Sequence, residues 1–310
     1  GTNLIFTAGE ARFGVEVCED LWVTIPPSSY LSIAGANIIG NPSASNELVS
    51  KKDYRLSLIE NQSARCLGAY VYSSSGVHES TTDLLFSGHL IVAENGSIIK
   101  ENERFQRNNE VITTSIDLFK LNSERLKNLS FRDMNKLLPF NIKTIDFSFK
   151  NTKITNFDRY VDKHPFVPSN PLARDERCKE IFNIQCSALA KRLEHTNLKK
   201  AVIGISGGLD STLALLVIVK TFDMLGINHE NIITITMPGF GTTDRTYNNA
   251  LTLCRELNCD LREINIVKAA LQHFEDIGHD KDIHDVTYEN VQARERTQIL
   301  MDLANKEGGL

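Results

Sequence analysis

Residues 201–216 read AVIGISGGLDSTLALL, and this stretch decides the fold of the second half of the chain. The first five residues form an apolar run that is typical of a strand buried on both faces. The polar loop SGGLDS at 206–211 follows at once, and the apolar run after it predicts a helix over 211–225. A buried strand, a glycine turn and a helix together indicate an α/β fold with a parallel sheet.

Strands and helices alternate on both sides of this stretch. The predicted helices cover 175–195, 244–257, 267–276 and 289–306, and the predicted strands cover 232–236 and 260–264. This order predicts a doubly wound, Rossmann-like parallel sheet, in which ligands bind at the carboxyl ends of the strands. We assign residues 171–310 to this domain.

The first 120 residues predict a second α/β domain. Its predicted strands cover 13–17, 37–40, 69–73, 86–93, 97–100 and 111–116, and its predicted helices cover 28–35 and 47–67. Asn41–Ser43 is interpreted as a turn, and Glu94-Asn95-Gly96 is a hairpin signal. The pattern indicates a layered α/β sandwich over 1–120, followed by a polar, irregular connector over 121–170.

The loop SGGLDS carries groups that bind phosphate. Gly207 and Gly208 allow a tight turn whose N–H groups form an anion nest, and the following helix N-terminus adds partial positive charge. Ser206 and Ser211 supply hydroxyl groups. Asp210 stands where no lysine is present, and a carboxylate beside polyphosphate requires a divalent cation, which we expect to be Mg²⁺ on Asp210. The alternative is a glycine turn with an Asp-Ser helix cap and no ligand.

Composition excludes several classes of protein. The 310 residues are enough for two domains, and the net charge of −5 with a pI near 5.9 argues against a nucleic-acid partner. No apolar run reaches the roughly 20 residues that span a bilayer, so no membrane partner is expected. The six cysteines form no C-x-x-C pair, which argues against a zinc site or a disulfide framework. We expect a cytoplasmic homo-oligomer.

The string SGGLDS resembles the signature of the ATP pyrophosphatases, which cleave ATP between its α and β phosphates. This resemblance assigns ATP to the loop, and the implied ATP-binding residues are Gly204, Ser206, Gly207, Gly208, Asp210 and Ser211. Two further stretches, MPGFGTTDRT at 237–246 and YENVQARER at 288–296, make this domain similar to NAD synthetases.

NAD synthetases amidate nicotinic acid adenine dinucleotide to NAD through an adenylylated carboxylate. The resemblance implies that Asn290 and Arg294 bind this dinucleotide substrate. Without the resemblance, the stretch at 288–296 would be interpreted as a charged, solvated helix face.

A candidate nucleophile lies in the stretch VEVCEDLW at 15–22. Cys18 follows an apolar strand, where a nucleophile can be held rigidly at the rim of a sheet. Glu16, Glu19 and Asp20 flank it and disfavour a thiolate, so the pattern predicts a lysine nearby. The alternative is a buried structural cysteine, which is the usual role of a lone cysteine on a strand.

Residues 13–104, with VCEDLW and NPSASN (41–46), resemble the nitrilase-type glutaminase domain of glutamine-dependent NAD synthetases. The resemblance implies part of an αββα nitrilase-like sandwich and a Cys-Glu-Lys triad with Cys18 as its nucleophile. It also implies glutamine-binding roles for Ser45, Lys51 and Glu19. The order of the domains, glutaminase before synthetase, agrees with this family.

The chain is expected to be a fragment, because it opens directly into an apolar run at 4–6 and closes just after a helix cap at 308–309. Glu16 and Glu19 are too close to Cys18 to be its base, so the Glu and Lys of the triad are expected before Gly1. The fragment alone is then expected to be inactive as a glutaminase.

Two alternatives stay open for the function. One is a different amidotransferase with the ATP-pyrophosphatase loop, such as a GMP or asparagine synthetase, although the sequence contains no G-x-C-x-G motif and no N-terminal cysteine. The other is a non-catalytic fragment that binds nucleotide without turnover.

Overall fold

A computed structural model describes residues 3–138, 141–148, 157–240 and 244–310. The chain divides into two compact units, Gly1–Lys163 (unit 1) and His164–Leu310 (unit 2). Each unit has its own sheet and its own apolar core, and both are α/β, which confirms the predicted fold class. No helix within the described ranges is long and apolar enough to cross a bilayer.

Unit 1 is built on a mixed sheet. Its strands are β1 (Leu4–Ala8), β2 (Ala11–Val15), β3 (Ile38–Ser43), β4 (Ala69–Ser74), β5 (Leu90–Glu94), β6 (Ser97–Glu101) and β7 (Lys143–Asp146). Among the described residues their order is β6-β5-β4-β3-β2-β1-β7. The strands β2, β3 and β4 run parallel, so their carboxyl ends meet at one edge of the sheet.

The helices of unit 1 cover the sheet and close its core. They are α1 (Pro27–Ile33), α2 (Lys51–Arg65), α3 (Leu118–Lys127) and α4 (Leu129–Asp133). Pro27 suits the first position of α1, where its missing N–H has no partner to lose. Leu31 of α1 and Ile59 of α2 are fully buried with Ile39 and Tyr70 of the sheet. Each such side chain contributes about 1.5–3 kcal/mol through burial.

The predicted turn at Asn41–Ser43 is wrong, because these residues are the last three of β3. A proline is tolerated there for a geometric reason. β2 pairs with β3 only as far as Gly40, so no strand on that side needs the N–H that Pro42 lacks.

The predicted strand over 111–116 is also wrong, since residues 102–117 contain no helix or strand. This segment is held by residue 158 instead. The backbone carbonyl of Asp158 accepts hydrogen bonds from Thr114 Oγ1 at 3.0 Å and from the Ser115 N–H at 3.2 Å. These bonds to a distant part of the chain take the place of a strand ladder.

The stretch 121–170, predicted as an irregular connector, contains most of α3, all of α4 and the strand β7. β7 pairs in parallel with β1 at the edge of the sheet. Further on, Arg159 makes two 2.7 Å bonds to the buried carboxylate of Glu94. The four residues of β7 are all exposed, which explains why no apolar alternation indicated a strand.

Unit 2 is built on a parallel sheet, as predicted. Its described strands, β8 (Ala201–Gly204), β9 (Ile232–Thr236) and β10 (Asp260–Glu263), lie in the order β10-β9-β8. Its helices are α5 (Pro171–Thr196), α6 (Leu209–Leu225), α7 (Asp244–Glu256), α8 (Val267–Ile277) and α9 (Val286–Glu307). The central strand β9 is buried throughout, and the carboxyl ends of all three strands share one edge.

Arg125 of α3 binds backbone carbonyls elsewhere in unit 1. Arg125 Nε donates to the carbonyl of Leu67 at 2.8 Å, and Nη2 donates to those of Cys66 and Ala36, both at 2.7 Å. Nη1 reaches the Gly35 carbonyl at 3.4 Å. Burial lowers the pKa of the Arg125 guanidinium to about 10, which leaves it charged at neutral pH. It therefore supplies charged donors to carbonyls at the ends of α1 and α2.

Replacing this arginine should destabilise unit 1. Arg125→Ala is expected to lower the free energy of unfolding by about 2–4 kcal/mol, because several carbonyls lose a charged donor at once. Urea unfolding followed by the fluorescence of Trp22, the only tryptophan in the chain, would measure this. Lys127→Ala on the same helix removes only an exposed pair with Glu124 and should cost under about 0.5 kcal/mol. Equal losses in the two variants would contradict the role of Arg125.

Candidate functional site

The predicted phosphate loop lies between the end of β8 and the start of α6. Gly208 is the residue before the first turn of α6, so the free N–H groups of that turn point toward the loop. Ser206 Oγ accepts from the Gly208 N–H at 3.3 Å and lies 3.1 Å from Ser211 Oγ. Ser211 Oγ also donates to the Gly208 carbonyl at 3.1 Å. The two hydroxyls and the helix N-terminus thus form one small polar cradle.

Gly207 is the residue in this loop for which no other amino acid fits. Its φ is +80°, in the left-handed region. A Cβ atom added at this position would lie 2.0 Å from the backbone oxygen of Thr246, close to the start of α7. The loop therefore combines a left-handed turn with a close approach of two backbones.

Asp210 lies exposed in the first turn of α6, beside the cradle. The described residues contain no group of three or more His, Cys, Asp or Glu side chains that could hold a metal ion. A magnesium ion at Asp210 would therefore need other ligands. Mg²⁺ is commonly bound by one or two carboxylates together with substrate phosphates, so the single carboxylate fits that mode of binding.

A cavity of about 610 Å³ opens beside the loop at the carboxyl ends of β8 and β9. It is lined by Gly204, Ile205, Ser206, Gly208, Thr236, Met237, Thr246, Tyr247, Tyr288, Glu289, Gln292, Arg296 and Leu300. Three predicted ATP-binding residues thus line it directly. Ser211 contacts one of them, Ser206, and Gly207 packs against Thr246, another lining residue.

The structure does not bring Asn290 and Arg294 to this cavity. Both are exposed on α9, whereas Tyr288, Gln292 and Arg296 line the cavity. Residues two apart on a helix point about 200° away from each other, so Asn290 and Arg294 lie on a different face from these three. Glu289, next to Asn290 in the chain, also lines the cavity. The spacing of four between the lining residues was visible in the sequence, but nothing there showed which face of α9 meets the sheet.

Gln292 and Arg296 also hold the loop after β9. The Phe240 N–H donates to Gln292 Oε1 at 3.3 Å, and Arg296 Nε donates to the Met237 carbonyl at 3.4 Å. Burial lowers the pKa of Arg296, which the charge of Glu289 partly opposes. The guanidinium thus brings positive charge into the cavity. Residues 241–243 of the predicted MPGFGTTDRT stretch lie outside the described residues.

Unit 1 contains the candidate nucleophile at the equivalent edge of its own sheet. Cys18 follows β2 and begins a short 3-10 helix, Cys18–Trp22. Its φ is +53°, a left-handed conformation that costs an ordinary residue about 1–2 kcal/mol. Asn41 of β3 holds this turn from both sides. Its Oδ1 accepts from the Cys18 N–H at 3.0 Å, and its Nδ2 donates to the Cys18 carbonyl at 3.4 Å.

The acids that flank Cys18 have different partners. Glu16 is 1% exposed, and its carboxylate accepts from the Ser28 N–H at 2.7 Å and from the Tyr70 hydroxyl. Asp20 accepts from the Val17 N–H at 2.8 Å. Glu19, predicted to bind glutamine, is exposed and free to meet solvent or a ligand. The carboxylate of Glu16 is therefore bound within the core.

Lys51 lies within electrostatic range of Cys18. Lys51, at the start of α2, donates from Nζ to the Asn46 carbonyl at 2.9 Å and to Asn46 Oδ1 at 2.8 Å. Its Nζ lies 5.3 Å from the ring centre of Trp22. Burial lowers the pKa of Lys51, as does the charge of Arg55, while the interaction with Cys18 opposes this shift.

Ser45, the other predicted glutamine contact, is 6% exposed and lies in the loop that leads to Lys51. The structure therefore places Ser45, Lys51 and Cys18 in the same region of unit 1. Asn41 and Asn46 were not predicted as site residues. Both lie in the NPSASN stretch, which was the available signal.

The chain is similar to known proteins both within unit 2 and over its whole length. Residues 181–310 match the family model described as NAD synthase. Over its whole length the chain is 39% identical to the glutamine-dependent NAD(+) synthetase of Mycobacterium leprae, and it covers 47% of that protein. The chain is a homologue of the glutamine-dependent NAD(+) synthetases. The resemblance inferred from the sequence motifs is thereby confirmed.

A second relative agrees. The chain is 30% identical to the glutamine-dependent NAD(+) synthetase of Thermotoga maritima over 99% of its own length and 50% of that protein. It therefore spans about half the length of these relatives. The solved structure of a glutamine-dependent NAD+ synthetase from Acinetobacter baumannii in complex with ADP is 22% identical in sequence, with a TM-score of 0.41. The match covers 99% of this chain and 48% of the Acinetobacter chain.

The close approach at Gly207 predicts that alanine substitutions at the two glycines flanking α6 lower the free energy of unfolding by different amounts. Gly207 and Gly226 flank α6 and both have positive φ, but an added Cβ at Gly226 meets nothing within 4 Å. Gly226→Ala should therefore destabilise unit 2 by about 1 kcal/mol, through backbone strain alone. Gly207→Ala should cost at least about 1 kcal/mol more, because the methyl group collides with Thr246.

Denaturant unfolding followed by circular dichroism would measure both glycine variants. Equal losses would show that the loop is free to move away from α7 and that its position does not depend on Gly207.

Proposed function

We propose that the natural protein forms NAD by ATP-dependent amidation of nicotinic acid adenine dinucleotide, using ammonia released from glutamine. One observation carries this proposal: the same chain holds a cysteine in a left-handed turn at the edge of one sheet and a small polar cradle at a helix N-terminus at the edge of another. An enzyme that draws ammonia from glutamine and spends ATP to form an amide needs both. Its homologues are named glutamine-dependent NAD(+) synthetases, which agrees with NAD as the product and with a need for glutamine.

In unit 1 the proposed reaction is hydrolysis of the glutamine side-chain amide. The thiolate of Cys18 attacks the amide carbon, a C–S bond forms, and the C–N bond breaks to release ammonia. Water then hydrolyses the thioester to glutamate and restores the thiol. Ser45, Lys51 and Glu19 are proposed to bind glutamine, with the ammonium of Lys51 positioned to meet its α-carboxylate.

In unit 2 the proposed reaction is activation of a carboxylate. Gly204, Ser206, Gly207, Gly208 and Ser211 would hold the phosphates of ATP with N–H groups and hydroxyls. A carboxylate oxygen of the substrate attacks the α-phosphorus, and the bond to the β-phosphate breaks to release pyrophosphate. Ammonia then attacks the carbonyl carbon of this adenylylated substrate, and AMP leaves as the amide forms.

Asp210 is the residue proposed to bind Mg²⁺. Bound there, the ion would neutralise charge on the departing pyrophosphate. The exposed carboxylate lies in the first turn of α6, next to the hydroxyls that would meet the same phosphates. Without a cation, this carboxylate and the triphosphate would repel each other.

Two further groups of assignments concern the dinucleotide substrate and the location and partners of the protein. Asn290 and Arg294 are proposed to contact the dinucleotide from the exposed face of α9, whereas Arg296 would add positive charge inside the cavity. The cytoplasmic location, the homo-oligomer and the lack of nucleic-acid or membrane partners stay predictions from the sequence.

The role of Asp210 can be tested in the complete natural protein. Asp210→Asn should lower NAD formation at least about 100-fold with either glutamine or ammonia, because a neutral amide no longer holds the cation beside the phosphates. Titration calorimetry should show ATP affinity that no longer depends on Mg²⁺. Asp223→Asn, at the far end of the same helix, should leave both measurements unchanged. Wild-type turnover in Asp210→Asn would refute the assignment.

A second prediction separates the two reactions. Cys18→Ala in the complete natural protein should abolish NAD formation from glutamine and retain it with ammonium salts, since only glutamine hydrolysis needs the thiol. Cys178→Ala, at an exposed cysteine on α5, should retain both activities. Loss of both activities in Cys18→Ala alone would show that the cysteine is structural, or that one unit depends on the other for folding.

A further inference from the structure

The proposed glutamine contacts depend on a loop without regular structure. Residues 44–50 connect β3 to α2, and we name them the Ser45 loop. Ser45 lies within it, and Lys51 follows it directly. A segment with no ladder of backbone hydrogen bonds keeps one arrangement only if side chains fix it. If the loop had to become ordered when the ligand binds, the affinity for the ligand would be lower.

One carboxylate in the middle of this loop joins three other parts of unit 1. Glu47 Oε1 accepts from Arg55 Nη1 of α2 at 2.8 Å and from Ser87 Oγ, which precedes β5, at 2.6 Å. Its Oε2 accepts from Arg104 Nη1, beyond β6, at 3.0 Å. The Glu47 N–H also donates to the Leu85 carbonyl at 2.8 Å. The residue is therefore fixed through both its side chain and its backbone.

The burial of these groups shows that the contact is part of the folded core. The side chain of Glu47 is 6% exposed and that of Arg55 is fully buried. Burial raises the pKa of Glu47, but the hydrogen bonds from Ser87 and Arg55 outweigh it, and the net pKa lies below the usual value. Glu47 is thus ionised at neutral pH, and its charge balances an arginine that has no access to water.

The residues on either side of Glu47 carry the proposed contacts with glutamine. Asn46 holds the ammonium of Lys51 with two oxygens, at 2.8 and 2.9 Å. Ser45 is buried one residue earlier. A displacement of Glu47 would therefore move Asn46 with it, and Lys51 would lose the acceptors that place it near Cys18 and Trp22.

We propose that Glu47 is a positioning residue for the glutamine site, which fixes the Ser45 loop through Arg55, Ser87 and Arg104 before glutamine arrives. This inference rests on the proposed glutamine hydrolysis at Cys18. Glu47 touches neither glutamine nor the thiol in this role. Its effect is confined to how well the loop presents Ser45 and Lys51.

The test compares two kinetic constants in the complete natural protein. Glu47→Gln should raise the KM for glutamine about 10- to 100-fold, because a charged acceptor between two arginines is lost. Ammonia-dependent NAD formation should stay within about twofold of wild type, since unit 2 does not contain this network. Ser87→Ala removes one hydrogen bond and no charge, so we expect this variant to fold even if Glu47→Gln does not. It should raise the same KM about threefold to tenfold.

The matched control is Glu94→Gln. Glu94 is also buried in unit 1 and bound by Arg159, but none of its hydrogen bonds among the described residues reaches the Ser45 loop. Its KM for glutamine should stay within about twofold, even if its melting temperature falls as far as that of Glu47→Gln. A KM that rises as much in Glu94→Gln would reduce Glu47 to a general stabilising residue and overturn the proposal.

Two further outcomes are distinguishable. If the wild-type protein uses glutamine but Ser87→Ala and every folded Glu47 variant keep the wild-type KM, the positioning role is wrong and the proposed function stands. If the wild-type protein forms NAD from ammonia and releases no glutamate from glutamine, the proposed glutaminase fails and the role of Glu47 fails with it.

Discussion

Both candidate sites depend on one constraint: the chain must turn sharply as soon as it leaves the carboxyl end of a parallel strand. In unit 2 the turn after β8 is left-handed at Gly207, where the absence of a side chain removes the strain. In unit 1 the turn after β2 is left-handed at Cys18, which carries a side chain and is strained. Asn41, from the neighbouring parallel strand, compensates by bonding both backbone groups of the cysteine.

The two turns create different chemical surroundings. The loop at Gly207 presents backbone N–H groups and hydroxyls, which suit an anion. The turn at Cys18 presents one side chain at the rim of the sheet, with Lys51 as the nearby cation. Of the three acids that flank Cys18, Glu16 is kept away from this rim by burial, since it bonds Tyr70 inside the core. The same kind of left-handed turn after a strand therefore serves two kinds of site.

Local signals in the sequence predicted much of this arrangement. The apolar run before SGGLDS and the two glycines determine strand, turn and helix within a dozen residues or so, and the predicted strand 232–236 has the same bounds as β9. The helical period of α9 was also clear, but its rotation about its own axis depends on packing against the sheet. Asn290 and Arg294 were therefore chosen from a motif, while the cavity is lined by Gln292 and Arg296.

Contacts between residues far apart in the chain left no such signal. Glu47 and Arg104 are separated by more than fifty residues, as are Arg125 and the carbonyls of Cys66 and Leu67 that it binds. No local period links such partners, because a side-chain hydrogen bond requires only that the fold bring two groups together. The same reason explains the unpredicted strand β7, which has four exposed residues and is defined only by its pairing with β1.

The hydrogen bonds from Arg125 to backbone carbonyls limit where the chain can be divided into pieces that fold separately. A boundary at residue 120 would remove Arg125 from the carbonyls that it binds, β7 from the edge of the sheet and Arg159 from the buried Glu94. The first two losses would expose backbone groups, and the third would leave a carboxylate buried without its counterion. A separately expressed N-terminal piece must therefore extend to about Lys163, where unit 1 ends. Limited proteolysis of the intact chain should release a piece of this length, not one that ends at 120.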